Sequence, residues 1–259
     1  MESDASRLIQ GSLFALREQS HASGISMPQH RHPEGQLYAV ARGLIVVSTD
    51  RGKWMMSPGQ IGWIPPDISH GACIHGAMSG WTGYLHPTLC GSLPMQPAVF
   101  KQTALSKAVF GKFLRSEVPA VHGDREQRLI GVLIDEIATL VPEPMYLPMP
   151  TTEKLAAIGQ EIAATLSTKR SLDEIARRVG MSRRALTRQF RAETGLSIIE
   201  WRDAARTQRG MEMLIAGRTV TETAFALGYD GASKFITSFK RAFGSTPKQF
   251  VMSNRQSSF

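Results

Sequence analysis

Cysteine is nearly absent, with Cys73 and Cys90 the only two in 259 residues. Two thiols cannot build a disulfide framework or a thiolate zinc site, so both are expected as buried, reduced side chains. Long apolar runs are missing too: no stretch approaches the roughly 20 consecutive apolar residues of a membrane-spanning helix. The opening MESDASRLIQ has no basic segment leading into an apolar run, so a cytoplasmic protein with no membrane partner is expected. There is no recognisable serine or cysteine triad and no phosphate-binding glycine loop, which favours a protein that is not an enzyme.

What is present is ordinary in bulk and uneven in distribution. Hydrophobic residues make up 42% of the chain and charged residues 20%, the balance of a folded globular protein rather than a disordered one. A chain of this length sits near the size at which one core gives way to about two domains. Residues 1–150 hold 12 Lys+Arg against 12 Asp+Glu, whereas residues 151–259 hold 18 against 10. The whole net charge of +8 therefore lies in the C-terminal part. Cations gathered in one domain suit phosphate neutralisation and counterion release, the sequence-independent source of DNA affinity.

The character of the chain changes along its length. Residues 28–86 are rich in Gly, Pro and short β-favouring runs, among them Leu44 to Thr49, Trp54 to Met56 and Ile61 to Ile64. Turn signals at Asp50, Arg51, Gly52 and at Ser57, Pro58, Gly59 separate them, as in a small antiparallel barrel or sandwich. From about Arg125 the period becomes helical, with Leu129, Leu133, Ile137 and Leu140 on one stripe that Ile130 and Ile134 widen. That stripe must be buried against the barrel or against a second subunit. Pro142, Glu143, Pro144, then Leu147, Pro148, Met149 and Pro150, interrupt the helix and read as a semi-rigid linker. The expected domains are thus 1–95, a barrel; 96–141, a helical segment that could serve dimerisation; 142–152, a Pro-rich linker; and 153–259, an all-α domain.

Within the last of these, residues 171–190 meet the demands of a helix-turn-helix. Ser171 can cap a short helix, Ala176 is small enough for two helices to cross, Gly180 suits a turn needing positive φ, and Ser182 can cap the next helix. Leu186 and Phe190 then point inward. Arg183, Arg184, Thr187, Arg188 and Arg191 are left outside, where arginine can read guanine bidentately or contact phosphate. Residues 219–235 repeat the pattern with Ala224, Gly228 and Ser233. Phe235, Phe239 and Phe243 form the second inward stripe, and Ser233, Lys234, Thr237 and Arg241 face out. The connecting stretch Ile198 to Ala216 would be about 28 Å long as a helix, enough to set two reading helices on successive major grooves of double-stranded DNA.

The run Gly228, Tyr229, Ser233, Lys234, Phe235, Phe239, Lys240, Arg241, Gly244, Pro247 and Phe250 is similar to the signature of the AraC/XylS family of transcription regulators, and residues 153–252 resemble that family's DNA-binding domain. The resemblance implies that Arg184, Thr187 and Arg188 read bases in the first unit, with Ser233, Lys234 and Thr237 in the matching outer positions of the second. Ala232 offers nothing to donate there.

Three histidines carry a separate signal. His30 and His32 share one face of a strand by the period of two, and His70 ends a turn begun by Pro65, Pro66 and Asp67; convergent imidazoles can hold a metal. The surroundings resemble the cupin fold. Gly24, His30, His32, Gln36 and Gly43 match the spacing of its first motif, and Gly59, Pro65 and His70 that of its second. Gln36 stands where metal-binding cupins usually have glutamate, Asp67 replaces a turn glycine and Ile74 an asparagine. The run from His30 to Leu37 also resembles AraC-type regulators with cupin sensor domains, which implies a small effector in the barrel. Two alternatives follow: a divalent transition metal on His30, His32 and His70, or a metal-free pocket, with Gln36 among its residues, in which the histidines contact an effector or each other. Tyr38, Trp54, Trp63 and Trp81 would line such a pocket or fill plain core.

The fold class expected is α+β, a cupin-like antiparallel β-barrel followed by an all-α domain with two helix-turn-helix units. The function expected is a sequence-specific, effector-controlled DNA-binding transcription regulator, with an operator, a small effector, RNA polymerase and a second copy of the chain as its partners. The rival is a metal-dependent cupin enzyme fused to a DNA-binding module, which the missing carboxylate at Gln36 weighs against.

Overall fold

The computed structural model describes residues 12–22, 24–114, 123–143, 146–168 and 170–256. They divide into two compact units, the first drawn from 12–49, 54–146 and 254–256 and the second from 50–53 and 147–253. Among the described residues no helix is long and apolar enough to cross a membrane.

Most of an eight-stranded antiparallel sheet and two helices make up the N-terminal unit, the sheet's residues 52–53 and 147–148 being counted with the second unit. The strands are β1 Phe14–His21, β2 Ile25–His30, β3 Gly35–Thr49, β4 Gly52–Met56, β5 Gln60–Ile64, β6 His70–Leu85, β7 Ala98–Lys101 and β8 Tyr146–Pro148. The order runs β1-β6-β3-β4-β8, with β2 also paired to β6, and β5 to β3 and β7. Two strands, β3 and β6, are far longer than the short runs read from sequence, at 15 and 16 residues. They stay paired along their length because the register shifts on either side of Arg42, with one extra residue of β3 before it and extra residues of β6 after it, a device that bends a strand without ending it. Gly43 permits the bulge: its φ is +96°, and a Cβ there would meet Ala77 O at 2.7 Å.

The stretch 96–141 departs from the helical expectation at its start. Ala98, Val99 and Phe100 form β7 because β5 offers an open edge, pairing Ile61 with Phe100 and Trp63 with Ala98. Only then come α1, Ala104–Leu114, and α2, Asp124–Thr139; residues 115–122 lie outside the described residues. The α2 stripe Ile130, Leu133, Ile134 and Ile137 is buried in one cluster with Phe14, Leu37, Trp63, Trp81, Phe100 and Phe110, so it packs on its own sheet. Burial of such side chains contributes about 1.5–3 kcal/mol each. Trp63 and Trp81 are therefore core, with Trp63 Nε1 donating to Pro94 O at 2.8 Å and Trp81 on Phe110 at 3.8 Å. Tyr38 is buried as well, and Trp54 stacks on Tyr146 at 4.4 Å. Of the Pro-rich stretch 142–152, Pro144 and its successor lie outside the described residues, while Tyr146–Pro148 forms β8 and Leu147 is buried.

Among the described residues the C-terminal unit holds seven helices: α3 Glu153–Ala164, α4 Leu172–Arg178, α5 Arg183–Thr194, α6 Ile198–Ile215, α7 Val220–Ala226, α8 Ala232–Phe243 and α9 Pro247–Gln256, the last three residues of α9 being counted with the first unit. Three of them begin with a reciprocal capping box, Ser171 with Glu174, Ser197 with Glu200, and Thr219 with Glu222, each satisfying two amides that a helix start leaves open. The central α6 is about 27 Å long by its 18 residues. Its fully buried Trp201 meets Phe190 edge-on at 5.9 Å and donates from Nε1 to Pro148 O.

Candidate functional site

In the C-terminal unit, α4 and α5 form one helix pair and α7 and α8 another, on either side of α6. Ala176 and Ala224 are buried at the crossings. Gly180 and Gly228 have φ of +66° and +78° in the turns, a conformation that favours glycine. A Cβ on Gly228 would also meet Ser167 O at 2.6 Å. Met181 N donates to Ala176 O and Tyr229 N to Ala224 O, at 2.9 and 3.0 Å, so the two turns close identically.

The second helix of each pair is 12 residues long and ends on a left-handed glycine, Gly195 or Gly244. Leu186 and Phe190 are fully buried in α5, as are Phe235 and Phe239 in α8. Phe243 is half-buried, packing on Phe239 at 4.9 Å. The starts differ, since Ser182 caps α5 through Ala185 N while Gly231 precedes α8 with no side-chain cap. Ser233 is thus a surface residue of the first turn, not its cap.

Arg183, Arg184, Arg188, Arg191, Ser233, Lys234, Thr237 and Arg241 are all exposed, and Thr187 is half-buried. Aligned by their buried residues and closing glycines, Arg184 corresponds to Ser233 and Arg188 to Thr237. The first helix thus presents guanidinium groups where the second presents hydroxyls. Several of these groups are already engaged. Arg183 reaches Asp173 at 3.4 Å and Lys234 reaches Asp230 at 2.5 Å. Thr187 Oγ1 donates to Arg183 O and Thr237 Oγ1 to Ser233 O, at 2.6 and 3.0 Å. The ion pairs of Asp173 and Asp230, which lie off the reading helices, are not legible in the sequence; only the fold brings the first of them to Arg183. Behind the second unit, Arg206 lies over the Tyr229 ring at 5.6 Å and donates to Leu166 O at 3.0 Å, which fixes that turn to α6.

In the N-terminal unit β2, β3 and β6 bring together His30, His32, Gln36 and His70. Centroid separations among the three imidazoles are 4.4, 5.1 and 5.8 Å, and one nitrogen of each lies within 4.8 Å of the others. Every ring is oriented by a backbone carbonyl: His30 Nδ1 donates to Pro28 O at 3.0 Å, His32 Nδ1 to Glu34 O at 2.9 Å, and His70 Nδ1 to Ile68 O at 2.8 Å. A carbonyl only accepts, so the proton of each neutral ring sits on Nδ1 and its lone pair on Nε2. Gln36 Oε1 lies 3.1 Å from His32 Nε2 and 2.9 Å from His70 Nε2, while His30 Nε2 is buried with no hydrogen-bond partner among the described residues. Asp67, at φ +59°, donates its N–H to His32 O at 3.0 Å and so holds the turn that leads to His70.

Three residues of this site were not singled out from sequence. Gln36 Nε2 donates to Tyr84 Oη at 3.0 Å and to Thr82 Oγ1 at 3.3 Å. Glu34, 4% exposed, places Oε2 3.5 Å from His32 Nδ1. Tyr84 faces Gln36 through the β3–β6 register, which no local pattern announces; Glu34 lies between His32 and Gln36, and its burial is the signal that only the fold supplies.

Two family models match the chain: the AraC-like ligand binding domain over residues 16–87 and the helix-turn-helix domain over residues 175–253. The HTH-type transcriptional regulator NimR of Escherichia coli K12 is 28% identical over 233 residues, 88% of this chain and 83% of that protein. The HTH-type transcriptional regulator RipA of Corynebacterium glutamicum is 34% identical over 111 residues, 43% of this chain and 33% of that one. Among solved structures, ToxT of Vibrio cholerae O395 is similar with a TM-score of 0.42 and 10% identity, covering 94% of this chain and 99% of that one.

Proposed function

The chain belongs to the AraC family of transcription regulators, with a helix-turn-helix DNA-binding half and a ligand-binding half, and from there we propose that it reads an operator with α5 and α8 while His30, His32 and His70 hold a divalent transition-metal ion. The observation that supports the DNA reading is the matched pair of units, each with a small crossing residue, a left-handed glycine and a 12-residue helix whose cations and hydroxyls face out. Arg184 and Arg188 are the readers assigned to the first unit, Ser233, Lys234 and Thr237 to the second. Arg183, Thr187, Arg191 and Arg241 flank them and position the protein on phosphates. Such a protein works where the DNA is, in the bacterial cytoplasm.

The observation that supports an ion is the unpartnered His30 Nε2, buried beside two further nitrogen lone pairs. Three imidazoles fit zinc, iron or a nickel-like ion, and carbonyl-oriented rings are the usual outer layer of such sites. An ion there ties β2, β3 and β6 together and gives the ligand-binding half a chemical input. With an amide at Gln36 and relatives named as regulators, the chain is read as a regulator without catalytic activity of its own.

Footprinting tests the DNA reading. Wild type is expected to protect two blocks about one helical turn apart, Arg188→Ala to lose one of them and Thr237→Ala to weaken the other. Uniform weakening of both blocks by either variant would make these residues phosphate contacts and not readers. Elemental analysis tests the ion: one equivalent per chain, lost in His30→Ala, is expected.

A further inference from the structure

Gln36, 2% exposed, stands buried between two sets of partners. One end of the amide faces the Nε2 atoms of His32 and His70, and the other faces Tyr84 Oη and Thr82 Oγ1. The two ends of a carboxamide are nearly equal in size and opposite in polarity. With oxygen toward the imidazoles, the site offers an ion three nitrogens and an oxygen. With the amide turned over, its two N–H groups meet the lone pairs of His32 and His70, and its oxygen accepts from the Tyr84 hydroxyl and from that of Thr82, which gives up its long 3.5 Å bond to Leu37 O. All four distances, 2.9 to 3.3 Å, suit either arrangement. A carboxylate in the same place has no hydrogen to give, and an emptied site would leave its oxygens against two lone pairs, at the cost of a buried polar group left unpaired.

We propose that Gln36 turns over between these arrangements, so that the chain has a satisfied ion-free state as well as an ion-bound one, and the ion is an exchangeable effector of the regulator, not a permanent structural part. This rests on the three histidines being ion ligands. It assigns a role to the residue that departs from the cupin pattern: the amide lowers the cost of release, as a signal requires, where glutamate would retain the ion.

The test uses full-length protein, Co2+ as probe and a chelator of known affinity. Wild type is expected to bind one ion per chain, release it to the chelator and remain folded, with its affinity for the operator shifted by release. Gln36→Glu is expected to hold Co2+ about tenfold tighter or more, to keep the loaded-state operator affinity at the same chelator concentration, and to unfold at a lower temperature than wild type once stripped. Gln36→Leu, which neither donates nor accepts, should also lower the unfolding temperature of the stripped protein while still binding Co2+ through the histidines. Equal Co2+ affinity in Gln36→Glu, or stripped variants as stable as stripped wild type, would overturn the two-state amide and leave the ion reading standing. No uptake of Co2+ by wild type would overturn both.

Discussion

Glu34 Oε2 lies 3.5 Å from His32 Nδ1, yet among the described residues no hydrogen-bond donor reaches that oxygen, because the Nδ1 proton is directed at Glu34's own carbonyl at 2.9 Å. A buried carboxylate short of donors costs on the order of 1–3 kcal/mol. The same carboxylate behind an ion-bound imidazole raises the basicity of the ring and balances charge. Glu34→Gln is therefore expected to raise the unfolding temperature of the ion-free protein and to weaken ion binding about 10- to 100-fold. Calorimetry with and without Zn2+ measures both. Lower stability in both states would make Glu34 an ordinary packing residue.

Acid should loosen the DNA-binding unit through its helix caps. Hydrogen bonds from the Ser171 backbone and side chain hold the Glu174 carboxyl below its ordinary value of 4.5; those from Thr219 do the same for Glu222, and those from the Ser197 side chain and backbone for Glu200. Groups lowered in the folded state contribute stability above the unfolded value, and that contribution is lost as pH falls through the folded one. Replacing all three by glutamine keeps the capping geometry but removes the titration. Denaturation followed from pH 7 downward should show a loss beginning near pH 4.5 in wild type and a flatter profile in the triple variant.

The scarcity of cysteine has a chemical counterpart. Burial pushes the Cys90 thiol up to about 11, so it is a neutral thiol at physiological pH and a poor nucleophile. In a Cys73→Ser background, thiol reagents at pH 8 should label Cys90 only after denaturant is added. Rapid labelling of the native variant would contradict this burial.

Gly228 carries two constraints at once, a φ of +78° and Ser167 O at 2.6 Å from the site of a Cβ. Gly228→Ala is expected to destabilise the C-terminal unit by about 2 kcal/mol or more, whereas Gly180→Ala, with φ +66° and open space around it, should cost only about 1 kcal/mol, the strain of the left-handed conformation. Urea unfolding of the two variants separates the terms; equal costs would show that the contact with Ser167 yields freely.

Much of this was legible from residue order alone, because the information was local. Ser171 with Glu174, Gly180, Leu186 and Phe190 fix a helix pair within 20 consecutive residues, and a second copy 48 to 49 residues on removes chance as an explanation. His30, His32 and His70 could be grouped because the cupin spacing stands in for the β2–β6 and β3–β6 pairings. Where the outcome depended on a distant partner, local pattern was silent. Ala98 to Phe100 became a strand only because β5 had an edge to offer, and Tyr84 joined Gln36 through register. The pairing of Arg183 with Asp173 is equally invisible in the outward-facing pattern of α5.

The most direct measurement of the central claim is selection of bound sequences from random duplex DNA by the full-length protein, followed by titration of the winner and of an unselected duplex at two salt concentrations. Two short conserved blocks separated by about 10 base pairs, bound at least ~10^3-fold more tightly than the unselected duplex, are the predicted result. Salt-sensitive binding with no sequence enriched would contradict it, because the cations of α5 and α8 would then hold DNA without reading it.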